Sequence, residues 1–243
     1  MICLIPTKGR PSTKTYKLFQ EVGIEVYHFI EPQEMDIYDV PNKISIKENN
    51  KGIGYVRNFM LEFARYNNFD WVLICDDDVD HFGKYDGGNI KLDASIWFEI
   101  KNKAQKLPFE MVGINYRQLA WTEKHEYSIN KKFVEVCVLV NINKIKWNYR
   151  PEFNLKEDRD FALQTIKHGN GILKFNKYFY NCPDVGTNKG GLQEEYKLKR
   201  DEESARKMCR EWHPFITLKN KSGRIDIKTD IKGLAAYYKK IIK

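Results

Sequence analysis

The sequence predicts an α/β fold: one domain built on a mixed sheet flanked by helices, with a helical C-terminal extension. Two observations carry this. A short apolar strand, a helix and a second strand follow one another at the start of the chain, the opening of a βαβ unit. Further on, the apolar run WVLIC (71–75) leads straight into DDDVD. A buried strand thus delivers carboxylates at its carboxyl end, the edge where open α/β sheets hold their ligands.

Each element follows from local signals. Residues 2–5 (ICLI) read as a buried strand ended by Pro6 and the polar loop TKGRPS. A helix is expected over 13–22, with Ser12 as its N-cap and Gly23 as its stop. Residues 25–30 form a second strand, closed by Glu31 and Pro32, and 43–46 a third. Over 54–66, Val56, Phe59, Met60 and Phe63 recur at helical spacing, so an amphipathic helix is entered through the glycines of NKGIG. The central strand 70–75 follows. Helices are then expected over 94–106 and 157–167, the second stopped by Gly169, and strands over 111–115, 133–141 and 172–180. PDVGTNKGG (183–191) is a loop, and a charged helix runs from 193 to about 210. Residues 231–242 carry an apolar face opposite lysines, which fits either a docked terminal helix or a basic surface helix.

Lys and Arg exceed Asp and Glu by 41 to 33, a net charge of +8 that favours a polyanionic partner. Five cysteines, odd in number and never spaced CxxC, point to a reducing compartment. Cys3, Cys75 and Cys137 sit in apolar strand runs, as small buried hydrophobes do. No run is long enough for a transmembrane helix, and MICLIP lacks the charged flank of a signal peptide. A soluble, cytoplasmic protein without a membrane partner is expected.

Asp76 and Asp78, one residue apart at a strand end, can converge on one hard cation, Mg²⁺ or Mn²⁺, with phosphate completing the shell. A solvated turn in which the aspartates cap the next segment is the alternative. Phosphatases whose first strand ends in Asp-x-Asp are a poorer match, because Val79 and Asp80 stand where Gly-Thr usually follows and this strand is the fourth.

Taken in order, ICLIPTKGRP, FIEP, KGIGYVRNFML, WVLICDDDV and LKEDRDF resemble a GT-A glycosyltransferase of the inverting, family-two-like type. They are closer still to the TET/JBP-associated glycosyltransferases, found largely in phages and implied to glycosylate hydroxymethylated pyrimidines in DNA. The resemblance implies a GT-A-like, Rossmann-type sheet, with the nucleotide sugar held by about 1–115 and the acceptor by about 116–243. It places Thr7 and Arg10 beside the nucleotide and Glu31 near its base or ribose. Arg57, Asn58, Asp76 and Asp77 would help hold the donor, with Asp76 on the ribose or a metal-bound water and Asp78 on the metal. A surface salt bridge is the other reading of Arg57.

The run KEDRD (156–160) opens a helix, where carboxylates also complement the helix dipole. An inverting transfer needs a carboxylate to take the acceptor proton. By resemblance Asp158 is that base, with Glu157 second; Asp160 is given no role. His213 in CREWHPF is the candidate for a further metal ligand by its late position; a histidine merely packed or exposed beside Trp212 and Pro214 is the alternative.

On the acceptor side, NYRQLAW (115–121) and KWNYRPEF (146–153) interleave aromatic and basic residues, as base-stacking faces, sugar platforms or core residues do. The loop 186–191, with Lys189, is expected to order over the donor. These readings converge on a metal-dependent inverting transferase that is expected to use a nucleoside diphosphate sugar, with uridine as the nucleoside, and DNA as acceptor. A glycan, lipid carrier or protein acceptor, and a non-catalytic nucleic-acid-binding module, are the alternatives.

Overall fold

A computed structural model describes residues 1–153, 155–183, 189–221 and 223–241. Its strands are β1 (Ile2–Thr7), β2 (Glu25–Ile30), β3 (Lys43–Ser45), β4 (Trp71–Cys75), β5 (His81–Tyr85), β6 (Asn89–Leu92), β7 (Met111–Tyr116), β8 (Tyr127–Ile129), β9 (Cys137–Asn141), β10 (Ile172–Asn181), β11 (Ile216–Lys221) and β12 (Arg224–Thr229). The helices are α1 (Thr15–Gln20), α2 (Ile53–Tyr66), α3 (Ile96–Ala104), α4 (Arg117–Ala120), α5 (Glu157–His168), α6 (Gln193–Lys197), α7 (Arg200–Glu211) and α8 (Ile231–Ile241).

Ten strands form one sheet in the order β3-β2-β1-β4-β9-β7-β10-β5-β6, with β8 beside β10. β1 pairs in parallel with both β2 and β4, so the strand order reverses direction at β1. β9 runs antiparallel to both β4 and β7, and β10 parallel to β7. The carboxyl ends of β1, β2, β4, β7 and β10 therefore share one edge, and the reversal between β1 and β4 opens a crevice there.

Alternation along the strands divides the core into two layers. Leu4, Val72 and Ile74 face α2, α5, α7 and α8. Cys3, Ile5, Leu73 and Cys75 face the other way, toward Phe19 of α1 and Trp97 of α3. The sheet is thus covered on both faces, as the apolar strand runs require.

The mixed, helix-flanked sheet matches the expectation; several boundaries do not. α1 is shorter than 13–22 and Ser12 does not cap it: Lys14 holds the N-cap position. The expected strand 133–141 is confined to β9, because Val136 has φ +64. The single charged helix expected from 193 is broken into α6 and α7 at Lys199, φ +54. Besides helices, the C-terminal extension contains the hairpin β11–β12. Residues 231–241 form a docked helix, with Ile231, Leu234 and Ala235 in the core; residue 242 lies outside the described residues.

Candidate active site

The aspartate run meets two arginines. Arg10 Nη1 pairs with Asp77 and lies 3.0 Å from Asp78 Oδ2. Arg57 Nη2 donates to Asp76 Oδ1 at 2.9 Å, and its Nη1 to Glu157 Oε1 at 2.7 Å. Hydroxyls fix the rest of the loop. Thr7 Oγ1 donates to Asp77 Oδ2 at 2.5 Å, Thr13 to the Asp77 carbonyl at 2.5 Å and Thr15 to the Val79 carbonyl at 3.0 Å.

A strained turn sets Asp76 from the other side. The Cys137 N–H bonds the Glu135 carbonyl at 2.7 Å, closing a γ-turn around Val136, whose positive φ is rare for a β-branched residue. The Val136 carbonyl accepts the Asp76 N–H at 3.0 Å. Burial pushes the Asp76 carboxyl up to about 7; Arg57 pulls it down, and Asp78 pushes it up further. Burial also raises Asp77, against the pull of Arg10 and Thr7.

These groups line a cavity of about 460 Å³ at the shared strand edge. Thr7, Lys8 and Arg10 come from β1 and its loop, Glu31 from the end of β2, Arg57 from α2 and Asp76, Asp77 and Asp78 from the end of β4. Glu31 is buried and fully engaged: Lys8 Nζ donates to its Oε1 at 2.9 Å, the Asn50 N–H to the same oxygen at 3.0 Å, and Gln33 to its Oε2 at 2.8 Å. Tyr38 OH accepts the Arg10 N–H at 2.8 Å and stands 3.2 Å from Thr7 Oγ1.

The second acidic pair opens α5 behind the cavity: neither residue lines it, but Glu157 bonds Arg57, which does, and Asp158 Oδ1 accepts the Arg159 N–H at 2.7 Å. Burial raises Glu157 to about 8 even though Arg57 opposes it. Burial, then the nearby Glu135 charge, raises Asp158, against Arg57 and Arg159. Asp158 acts electrostatically on Tyr116 and Tyr196, phenols that line the cavity. Asp160 is fully buried and structural, held by Arg150, Gln164 and the Trp212 indole N–H.

Residues 1–191 match the family of TET-associated glycosyltransferases. The chain belongs to that family. It is a glycosyltransferase, and the matched residues include every group described above except Tyr196 and Trp212. No curated protein matches the chain. Among solved structures, A197 from STIV matches at 18% identity and a TM-score of 0.44, over 74% of this chain and 84% of that one. CMP:2-keto-3-deoxy-manno-octonic acid synthetase complexed with CTP matches at 10% identity and a TM-score of 0.46, over 87% and 99%.

In this glycosyltransferase the expected residues Thr7, Arg10, Glu31, Arg57, Asp76, Asp77 and Asp78 share the cavity, with Glu157 bonded to one of its walls. Asn58 does not line it. Its amide brackets the Tyr149 backbone, donating to the carbonyl at 2.6 Å and accepting the N–H at 2.7 Å, and so fixes the ring lying 5.7 Å from the Arg57 guanidinium. His213 is exposed beyond α7 and does not line it either.

Other cavity groups escaped the sequence reading. Lys8 was legible only as a cation beside Thr7, and Val136 only as part of a strand. Tyr196 lay in a helix read as charged. Of the loop 183–191, residues 184–188 lie outside the described residues. Its end crosses the β1 loop: the Gly191 N–H bonds the Lys8 carbonyl at 2.9 Å and Arg10 Nε the Lys189 carbonyl at 3.0 Å. Gly190, at φ +78, allows this crossing, since a Cβ there would lie 2.6 Å from the Gly9 carbonyl oxygen.

Proposed function

We propose that the enzyme transfers a sugar, with inversion, from a nucleoside diphosphate sugar, uridine diphosphate in our reading, to the hydroxymethyl group of a pyrimidine in DNA. The gathering of Thr7, Arg10, Glu31, Arg57 and Asp76 to Asp78 in one crevice at the strand-order reversal carries this reading. Glu31 sets Lys8 and Asn50, which offer polar groups to the base or ribose, and Arg10 and Arg57 offer charge to the diphosphate.

Asp76 and Asp78 fit a divalent cation bound together with the donor. Among the described residues no three His, Cys, Asp or Glu side chains form a cation cage. Magnesium-type ions commonly take one or two carboxylates and complete their shell with substrate phosphates and water, which suits this donor set. When bound, such an ion supplies neutralising charge to the diphosphate.

In the reaction the acceptor oxygen forms a bond to C1 while the bond from C1 to the diphosphate oxygen breaks, its electron pair leaving with the diphosphate. Asp158 takes the acceptor proton; a carboxyl with a raised pKa is the stronger base. Arg57 meets both Asp76 and Glu157, and so ties the donor side to the base-bearing helix.

The net charge of +8 and Trp121, 62% exposed just past α4, support the DNA acceptor. Gln118 of the same helix lines the cavity. No helix among the described residues is long and apolar enough to cross a membrane.

The test is sugar transfer from a panel of nucleotide sugars, with Mn²⁺ or Mg²⁺, to DNA containing hydroxymethylated cytosine or uracil, read by mass spectrometry of the digested nucleosides. A mass gain on one nucleoside, lost in Asp78→Asn and in Asp158→Asn, supports the reading. Donor breakdown without transfer to DNA overturns the acceptor, and full activity of Asp78→Asn overturns the cation site.

A further inference from the structure

The residues matched to the family end at 191, yet the hairpin β11–β12 beyond them reaches Lys156 and Arg159, which flank the acidic pair. Lys156, which turns the chain into α5, has φ +66, a left-handed conformation unfavourable for a lysine that needs an outside hold. That hold comes from β12. Lys156 Nζ donates to Asp226 Oδ1 at 3.2 Å, with each side chain only 10% exposed. Arg159 Nη1 lies 4.0 Å from the same oxygen, and Arg159 Nε donates to Glu135 at 2.6 Å. Asp226 is itself fixed, since its Oδ1 accepts the Ile227 N–H at 2.8 Å.

The charges therefore alternate, Lys156, Asp226, Arg159, Glu135, around the two residues Glu157 and Asp158 that Lys156 and Arg159 flank. Glu135 belongs to the turn that fixes Asp76 through the Val136 carbonyl. One carboxylate from the C-terminal hairpin thus holds both cations beside the pair.

We propose that Asp226 is a positioning residue of this transferase: through Lys156 and Arg159 it sets the place of the Glu157–Asp158 pair, and the C-terminal hairpin is part of the catalytic apparatus. The proposal rests on the reading of Asp158 as the base. A purely structural role for the hairpin would lower stability and leave the base's titration alone. A positioning role also acts through charge, because Asp226 offsets Lys156 and Arg159, the cations that flank the pair in the chain, and Arg159 bears on Asp158. The other groups facing Asp158 are Arg57 of α2, Glu135 before β9, Tyr116 at the end of β7, Tyr149, Tyr196 of α6 and its helix neighbour Glu157. None of these changes in the variants below.

The experiment compares full-length wild type, Asp226→Asn and Lys156→Met for kcat, donor KM and the pH dependence of kcat. Asn keeps the shape and the acceptor for the Ile227 N–H. Expected for Asp226→Asn is a donor KM near wild type, a kcat lowered about ten-fold, since small misplacements are costly, and an acid limb moved to lower pH, because the freed cations stabilise the Asp158 carboxylate. Lys156→Met also lowers kcat but moves the acid limb to higher pH. If either folded variant keeps wild-type kcat, or both limbs stay in place, the proposal falls. If Asp226→Asn does not fold, Lys156→Met decides by the same two readings. Full turnover of Asp158→Asn would instead sink the base assignment; an inactive Asp158→Asn beside a fully active Asp226→Asn sinks only the positioning role.

Discussion

Arg57 and Glu157, one hundred positions apart in the chain, meet at 2.7 Å with side chains only 7% and 5% exposed. The same guanidinium holds Asp76, so one residue of α2 aligns the end of β4 with the start of α5. Arg57→Met abandons two carboxyls at once. It should cost about 3 kcal/mol of stability, the low end for a broken buried pair because burial has already raised both carboxyls, to about 7 and about 8, so that they are readily left neutral. Turnover should fall by at least ~10²-fold for want of the charge. Thermal melts with single-turnover transfer assays read both.

Glu157 gives the protein a pH-dependent stability with a definite sign. Its pKa rises from an ordinary 4.5 to about 8 on folding, chiefly through burial. Between those values the folded chain binds a proton that the unfolded chain does not. This contribution is complete below the unfolded value and is lost as pH climbs through the folded one. The wild-type Tm should therefore decline more steeply than that of Glu157→Gln between about pH 5 and pH 8. Parallel Tm curves would contradict it.

The turn at Val136 holds strain that two substitutions separate. Alanine and glycine both remove the side chain, and only glycine accepts φ +64 freely. Val136→Gly should be more stable than Val136→Ala by about 1 kcal/mol in denaturant titrations. Equal stabilities would mean that the turn relaxes.

Asn58 behaves as a clip in the structure, although its sequence context suggested a donor contact. Asn58→Ala should lower stability by about 1–3 kcal/mol, since it leaves the Tyr149 backbone groups without partners. The donor KM should change little. A large rise in KM at unchanged Tm would restore the donor role.

What the sequence disclosed and withheld follows from range. β1, β2, α2 and β4 announce themselves by apolar runs and helical spacing, and the Asp run names the site because charge after a buried strand is costly without a partner. The partners lie elsewhere. Nothing near Arg57 in the chain points to Glu157, and nothing near Lys156 points to Asp226; only the folded sheet brings them together. The hairpin β11–β12 was legible in principle, since apolar residues alternate on both sides of Ser222-Gly223. β6 gave little signal, because it is only four residues long and a single apolar pair, Ile90 and Leu92, carries its alternation. The break at Lys199 carries neither glycine nor proline, so no local residue marks it.

Of the five tryptophans, Trp71, Trp97 and Trp212 are buried, Trp147 is half-buried and Trp121 is 62% exposed. The red edge of the intrinsic fluorescence therefore comes chiefly from one indole, three positions past the cavity-lining Gln118. The enzyme carries its own optical probe there, and a stopped-flow trace of its quenching would time acceptor arrival without any attached dye.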